Sequence, residues 1–527
     1  MLDYRKTSPA TLYPLSPILN YAMSSSNLVD ALFEKASSNP GKVCIHTVDA
    51  RVVTYETLFA QSSAYANALK SLGVKVGDRV AVQVDKSVEK LFLYLATLRM
   101  GAVFLPLNTA YTLNELRFFI EDAEPSVIVC RKSMQDALQP VAKEVNAQLV
   151  TLEQDSKGSL VDLAASESAN FETVPREAND LAAILYTSGT TGRSKGAMLS
   201  HDNLLSNTRA LFDVWQYREE DVLIHALPIF HTHGLFVACN LTFYAGASMI
   251  FFEKFDAKEI IAALPGATVM MGVPTFYTRL LAEASFTGAV TQNMRVFISG
   301  SAPMNVEVHK RFEERTGLVV LERYGMTEIS MMTSNPFEGE RRQGTVGFPL
   351  PGSSIRVANP ETAELLPANE VGVLEVTGPN VFQGYWRLSE KTKGEFRNDG
   401  YFITGDLGTI STDGYVTIVG RAKDLIISGG FNVYPKEVEK LLNKMEGIAE
   451  SAVIGVPHPD WGEAVVAVIV ADGTAFREDI VIAELKDRLA SYKIPKRVFE
   501  IDELPRNAMA KVQKQVLREQ FEGLFGS

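Results

Sequence analysis

From Asn27 onward, short apolar runs alternate with longer stretches of helical periodicity. Leu28–Phe33 carries helical spacing behind a candidate Asn27 cap. Val52–Phe59 passes from strand into helix, and Gly77–Val84 reads as a turn followed by a buried strand. Val88–Met100 is expected to be an amphipathic helix, Gly101–Pro106 a strand, Leu113–Asp122 a helix and Ser126–Cys130 another strand. Strands alternating with helices in this way predict parallel α/β architecture with crossover connections. Further runs follow at Val222–Pro228, Ser248–Phe252, Val269–Val273 and Met294–Ser299, the last entering the turn Gly300–Pro303. Each apolar strand delivers a polar or glycine turn at its carboxyl end, where open parallel sheets place ligands.

The pattern changes after about residue 340. Short β-like pieces such as Gly372–Gly378 and Gly414–Gly420 predict a small antiparallel or barrel-like section. Past 420–424 the helix Pro435–Met445, the strands Glu450–Val456 and Ala464–Ala471 and the helix Ile480–Leu489 predict a separate α+β domain. The expected organisation is a poorly ordered extension over 1–22, a large domain over 23–420, and a smaller mobile domain over 421–527 hinged near 420–424.

Composition adds exclusions. The formal net charge is −12, with 46% hydrophobic and 22% charged residues, which argues against a general nucleic-acid binder. Cys44, Cys130 and Cys239 have neither disulfide-framework nor metal-ligand spacing, so a reducing compartment, the cytoplasm, is expected. Arg5 and Lys6 among the prolines of residues 1–22 leave organelle targeting open. Leu235–Phe252 is uncharged throughout, but Asn240, Thr242 and Gly246 interrupt it. A buried helix and strand turned at Gly246 is expected rather than a membrane span.

Four stretches carry candidate chemistry. The first is Leu185-Tyr-Thr-Ser-Gly-Thr-Thr-Gly-Arg-Ser-Lys-Gly196. Its hydroxyls, glycines and Lys195 suit an anion, although a plain surface loop has the same composition. It is not a Walker A loop, which wants four residues between its glycines and then Gly-Lys-Ser/Thr. The second is Glu322-Arg-Tyr-Gly-Met-Thr-Glu328, where Tyr324 could stack on a base, Thr327 bond a phosphate oxygen, and Glu328 hold Mg²⁺ or merely be solvated. The third pairs Tyr401–Asp406 with Gly420–Asp424; Asp406 could accept from ribose hydroxyls beside Arg421, or serve as a turn residue. The fourth, Leu504–Lys514, contains Lys511, which by itself reads as a solvated lysine.

Taken together and in this order, these stretches resemble the motifs of the adenylate-forming enzymes: acyl-CoA synthetases, luciferases and adenylation domains. The resemblance covers about residues 25–520. It implies ATP binding by Thr187, Ser188, Gly189, Thr190, Thr191, Gly192 and Lys195 of the loop. It adds Ser301, Ala302, Glu322, Arg323, Tyr324, Gly325, Met326 and Thr327, with Asp406 and Arg421 at the ribose. It implies catalysis by Thr327, Glu328 and Lys511, with Glu328 as Mg²⁺ ligand and Lys514 as an alternative lysine. Lys423 becomes the domain hinge, and Gly429, Gly430 and Phe431 line the entry of CoA. One departure is Ala510, where the family usually has glycine.

Within that family His225–Leu235, Val273–Leu280 and Ile298–Pro303 are most similar to malonyl-CoA synthetases. That likeness implies malonate as acid, methylmalonate tolerated, with Arg279 turned inward to clamp the second carboxylate and His233 and Ser301 beside it. His231 could equally be a packed core histidine. The rival readings are a synthetase for another short, medium-chain or aryl acid, a domain loading a carrier protein, and a non-catalytic adenine-nucleotide sensor.

Overall fold

The computed structural model describes residues 26–187, 194–473, 477–486, 488–507 and 511–526. The expected 1–22 extension, Ser188–Gly192 and Ala510 lie outside them. Two large sheets dominate the chain up to residue 385. The first, of seven strands, runs Gly384–Tyr385, Lys195–Ser200, Leu181–Thr187, Val103–Pro106, Arg79–Gln83, Val127–Cys130, Gln148–Thr151. The second, of nine, runs Phe348–Pro349, Ser330–Ser334, Leu321–Met326, Val296–Ser299, Val269–Gly272, Val222–His225, Ser248–Phe251, Val43–Thr47, Val52–Thr54. Pairing at the centre of both is parallel.

Residue alternation shows how the layers form. Val269 and Met271 belong to a continuous core shared by both sheets, whereas Met270 between them packs outward with Tyr277 and Phe312. The first sheet divides likewise: Val80 and Val82 face the shared core and Ala81 faces Leu116 and Phe119. Helix Val88–Arg99 lies in the shared layer and all its residues are buried, so the expected amphipathic helix is corrected to one enclosed on every side. Its polar side chains are matched: Glu89 accepts from Arg51 at 2.6 Å, and Lys90 Nζ donates to the Val84 carbonyl at 3.0 Å.

The loop rich in Thr, Ser and Gly joins two antiparallel strands, Leu181–Thr187 and Lys195–Ser200. Sequence reading did not anticipate the second strand, because Lys195–Ser200 is short and mixed in polarity. The helix that follows, His201–Val214, is closed by a reciprocal capping box between Ser200 and Asn203. The flanking strands therefore form a hairpin, and the helix expected from Ser200 follows its second strand.

After the large sheets comes a four-stranded antiparallel sheet in the order Ser354–Ala358, Gly372–Thr377, Phe402–Ile410, Val416–Arg421. The turn Ala422–Asp424 leads from its last strand to Ile426–Ser428 in a five-stranded terminal sheet. That sheet is built on the hairpin Ile448–His458 and Gly462–Ala471, with hydrophobic clusters on both faces. No helix among the described residues is long and apolar enough to cross a membrane.

Candidate functional site

The strand Leu321–Met326 sits at the centre of the site, and its side chains alternate between two environments. Glu322 is 4% exposed and accepts from the Met304 backbone N–H at 2.9 Å and from His309 Nε2 at 3.0 Å. Its carboxylate thus ties the segment after the turn Gly300–Pro303 to helix Val306–Thr316, so any part of Glu322 in binding ATP would fall to its backbone. Tyr324 donates its hydroxyl to Asp406 Oδ2 at 2.6 Å, and Arg421 Nε meets Asp406 Oδ1 at 2.7 Å. Asp406 and Arg421 are register partners in the antiparallel sheet, so that pairing brings the third motif together. Burial, then the Asp406 charge, drives the Tyr324 hydroxyl well above its ordinary pKa. Gly325 fits because a Cβ there would lie 1.9 Å from the Ser330 carbonyl oxygen. Met326 packs at the core margin, and Thr327 opens the 3-10 turn Thr327–Ile329.

Glu328, 5% exposed, accepts from the Tyr385 hydroxyl at 3.0 Å. Burial raises its pKa, opposed by that hydrogen bond and by the charges of Arg421 and Lys195. Lys195 Nζ pairs with Glu395 Oε1 at 3.1 Å and lies 4.0 Å above the Tyr385 ring. Thr187, at the other side of the hairpin, donates to the Lys195 carbonyl at 3.4 Å. No group of three or more His, Cys, Asp or Glu able to hold a metal occurs among the described residues. One buried carboxylate fits a hard cation that draws its remaining oxygen ligands from bound phosphates.

On the opposite face of the strand Arg323 is 3% exposed, and its Nε and Nη2 have no hydrogen-bond partner among the described residues. Burial lowers its pKa to about 9. Its guanidinium lies across Gly300, where a Cβ would come within 2.4 Å of Cζ. Its charge, after burial itself, also lowers the pKa of His231, to about 4, and of His233. Both imidazoles are therefore neutral at pH 7. His233 Nδ1 is 3.4 Å from Ser301 Oγ, and Ser301 holds φ 68°, a left-handed conformation costly for serine. Among the described residues, His233 Nε2, Thr232 Oγ1 and Ser299 Oγ are also buried without partners. Native proteins satisfy nearly all such groups, so the unpartnered guanidinium beside His233 makes this a candidate ligand site.

Arg279 does not supply the buried cation. It is exposed near the end of helix Pro274–Ala282, makes no ion pair among the described residues, and leaves the fully buried Tyr277 of the same helix to face Arg323. The inward arginine is Arg323, which sequence reading had placed with ATP. The signal that could have found it is strand alternation from Tyr324.

The two candidate lysines separate clearly. Lys514 Nζ is 2.5 Å from the buried Glu439 carboxylate and is committed to that pair. Lys511 is exposed and makes no ion pair among the described residues; crowding by the protein around it and the charge of Arg421 lower its pKa to about 8, partly offset by Asp406 and Asp424. Asp406 and Arg421 belong to the antiparallel sheet, so Lys511 of the terminal segment lies within electrostatic reach of that pair. Gly429 (φ 59°) and Gly430 (φ 81°) form the two-residue turn of the hairpin Ile426–Val433, and Phe431 is 56% exposed and stacked on Tyr492.

A family model described as "AMP-binding enzyme" matches residues 32–386, and one described as "AMP-binding enzyme C-terminal domain" matches 437–511. The chain belongs to the AMP-binding enzyme family. It is 36% identical over 487 residues to a malonate–CoA ligase of Arabidopsis thaliana, covering 86% of this chain and 79% of that protein. It is 35% identical over 478 residues to a feruloyl-CoA synthase of Amycolatopsis, covering 89% and 94%. ATP-bound MatB from Rhodopseudomonas palustris is 56% identical and superposes with a TM-score of 0.94, covering 95% of this chain and 100% of that one. Apo MatB, at the same identity and coverage, reaches 0.83. The chain therefore superposes better on the ATP-bound structure of MatB than on the apo one.

Proposed function

We propose that this AMP-binding enzyme is an ATP-dependent malonate–CoA ligase, converting malonate, ATP and CoA to malonyl-CoA, AMP and pyrophosphate through malonyl-adenylate. The observation that carries the choice of acid is Arg323, a buried guanidinium without a counter-ion among the described residues, beside the neutral His231 and His233. An apolar or aryl acid would leave that charge uncompensated at a cost of several kcal/mol, on the order of 3–5. A dicarboxylate supplies the missing anion at one end and a reacting carboxylate at the other. The malonate–CoA ligase relative supports the same assignment. Methylmalonate, with one added methyl, is expected as a weaker substrate.

In the first half-reaction an oxygen of the free malonate carboxylate attacks the α-phosphorus of ATP and pyrophosphate leaves. Lys511, positioned over Asp406 and Arg421, would neutralise charge between the carboxylate and the phosphate. The hairpin loop from Thr187 to Lys195 would cradle the phosphates, and Lys195 would exchange Glu395 for them. Glu328 would hold Mg²⁺, whose charge offsets that of the phosphates. Asp406 and Arg421 would bind the ribose, with Ser301, Ala302 and Gly325–Thr327 around the base and α-phosphate. In the second half-reaction the CoA thiol attacks the acyl carbonyl and AMP leaves. Rotation about Lys423 would bring Gly429, Gly430 and Phe431 to the thiol's path, with 23–420 and 421–527 as the two bodies. The three buried free thiols fit a reducing, cytoplasmic setting.

The test is a panel of acids with ATP, Mg²⁺ and CoA, quantifying AMP and acyl-CoA together. Malonate should give equal amounts of both with the highest kcat/KM. Preference for a monocarboxylic acid would move the enzyme to another branch of its family, and nucleotide binding without AMP formation would make it a sensor.

A further inference from the structure

The segment carrying His231 and His233 continues into a π-helix, His233–Cys239, before regular α-helix resumes at Asn240–Tyr244. π-helical turns are rare and occur frequently at functional sites, so what packs around this one bears on the site. Gly234 shows how tightly this one is seated, since a Cβ there would lie 2.1 Å from the Pro228 carbonyl oxygen.

The external support comes from the other sheet. Lys86 follows strand Arg79–Gln83 of the seven-stranded sheet and is 9% exposed. Its Nζ is 2.9 Å from His225 Nδ1 and 2.9 Å from the His225 carbonyl oxygen. His225 ends strand Val222–His225 of the nine-stranded sheet, and its Nε2 is 2.8 Å from the Gly234 carbonyl oxygen. Cys239 Sγ at the far end of the π-helix lies 3.3 Å from the same Nε2. The tautomer follows from the partners. A carbonyl can only accept, so Nε2 carries the hydrogen, and Nδ1 of the neutral ring accepts from Lys86. Burial and the Lys86 charge hold the imidazole neutral.

Lys86 is costly where it stands. Its neighbours are the His225 ring, the Phe251 ring 4.3 Å away, Cys239 and, more distantly, Glu253, with no carboxylate in ion-pair contact among the described residues. Burial brings its pKa to about 7, and the amine donates in either protonation state. A methionine would fill the same space without burying a charge. The placement calls for a task that only a donor performs.

We propose that Lys86 is a positioning residue for acid recognition. Through His225 it fixes the Gly234 carbonyl and the π-helical register, and so sets His233 against Ser301 and Arg323. The second carboxylate of the acid would then meet a preformed pocket. This inference rests on the malonate reading of the Arg323 site. It assigns Lys86 no contact with substrate and no part in binding ATP.

The test compares Lys86→Met, Lys86→Gln, His225→Phe and the double variant Lys86→Met/His225→Phe in the full-length enzyme. Lys86→Met should raise KM for malonate about fivefold or more, the scale of one lost hydrogen bond, with KM for ATP and CoA unchanged. It should also shift the malonate-to-methylmalonate ratio of kcat/KM. Lys86→Gln, which keeps an N–H donor, should recover most of the loss. The double variant should be no worse than the poorer single one, because the two residues act as one unit. Equal changes in KM for ATP and malonate, no change in either, additive effects or failure of Lys86→Gln to recover would overturn the proposal. If Lys86→Met does not fold, an unchanged KM for malonate in His225→Phe overturns it equally. Wild-type enzyme making no thioester from malonate would refute the functional reading instead. The same variants would then be read with whichever acid the enzyme activates.

Discussion

Arg323 and Tyr324 are neighbours in sequence and opposites in electrostatics. Tyr324 completes a closed set: its hydroxyl meets Asp406, and Asp406 meets Arg421. Arg323, facing the other side of the strand, has a guanidinium with no counter-ion among the described residues, and the nearby His233 has a buried Nε2 that likewise lacks a partner among them. On the proposed reading, the Tyr324 side would be assembled before a ribose arrives, and the Arg323 side would be completed only when an anion enters. Satisfied groups orient a ligand, whereas an unsatisfied buried charge selects one.

The largest expected effect breaks the acyl half. Arg323→Met should lower kcat/KM for malonate by about 2–5 kcal/mol, the scale for removing one member of a buried charged pair, while AMP affinity holds. Butyrate should gain relative to malonate, and an unchanged preference measured on the acid panel would remove Arg323 from the pocket. Next, Tyr324→Phe deletes the hydroxyl at Asp406 and should cost about 1.5–3 kcal/mol in nucleotide binding, the range for hydrogen bonds to charged groups. The acid ratio should not move; if it does, the two faces are not independent.

A smaller effect concerns Lys511. Its pKa, lowered to about 8, leaves it cationic below that value and neutral above it. The kcat/KM of pyrophosphate exchange, which reports the free enzyme, should therefore fall as pH rises through about 8. Thioester formation from supplied malonyl-adenylate should lack this limb, and a shared limb would place the titration elsewhere. Smallest of all, Arg279→Ala should change kcat/KM for malonate by less than about 1 kcal/mol, as for exposed charges. A loss as large as that of Arg323→Met would return the clamp to Arg279.

Much of the fold was legible from local pattern. The strands Arg79–Gln83, Val103–Pro106, Val127–Cys130 and Val269–Gly272 fall inside apolar runs because each is buried on both faces, and the Ser200 capping box marked its helix. Helix Val88–Arg99 was misjudged because Glu89, Lys90 and Arg99 look solvent-facing until distant partners such as Arg51 appear. The strand Lys195–Ser200 was missed because its pairing comes from Leu181–Thr187 rather than from its own periodicity. At the site, Asp406, Arg421 and Tyr324 were each visible within a motif. Glu322 lay in the same motif, yet its carboxylate is used by His309 and Met304.

What the sequence determined by itself was the order of elements and the kinds of side chain delivered to strand ends, since both follow from short-range periodicity. It could name Lys511 and Lys514 but not separate them, and it could call for an inward arginine but not say which. Those choices waited on tertiary structure, because whether a charge is paired depends on residues tens to hundreds of positions away. Glu439 claims Lys514, helix Pro274–Ala282 turns Arg279 to solvent, and strand alternation leaves Arg323 alone beneath Gly300.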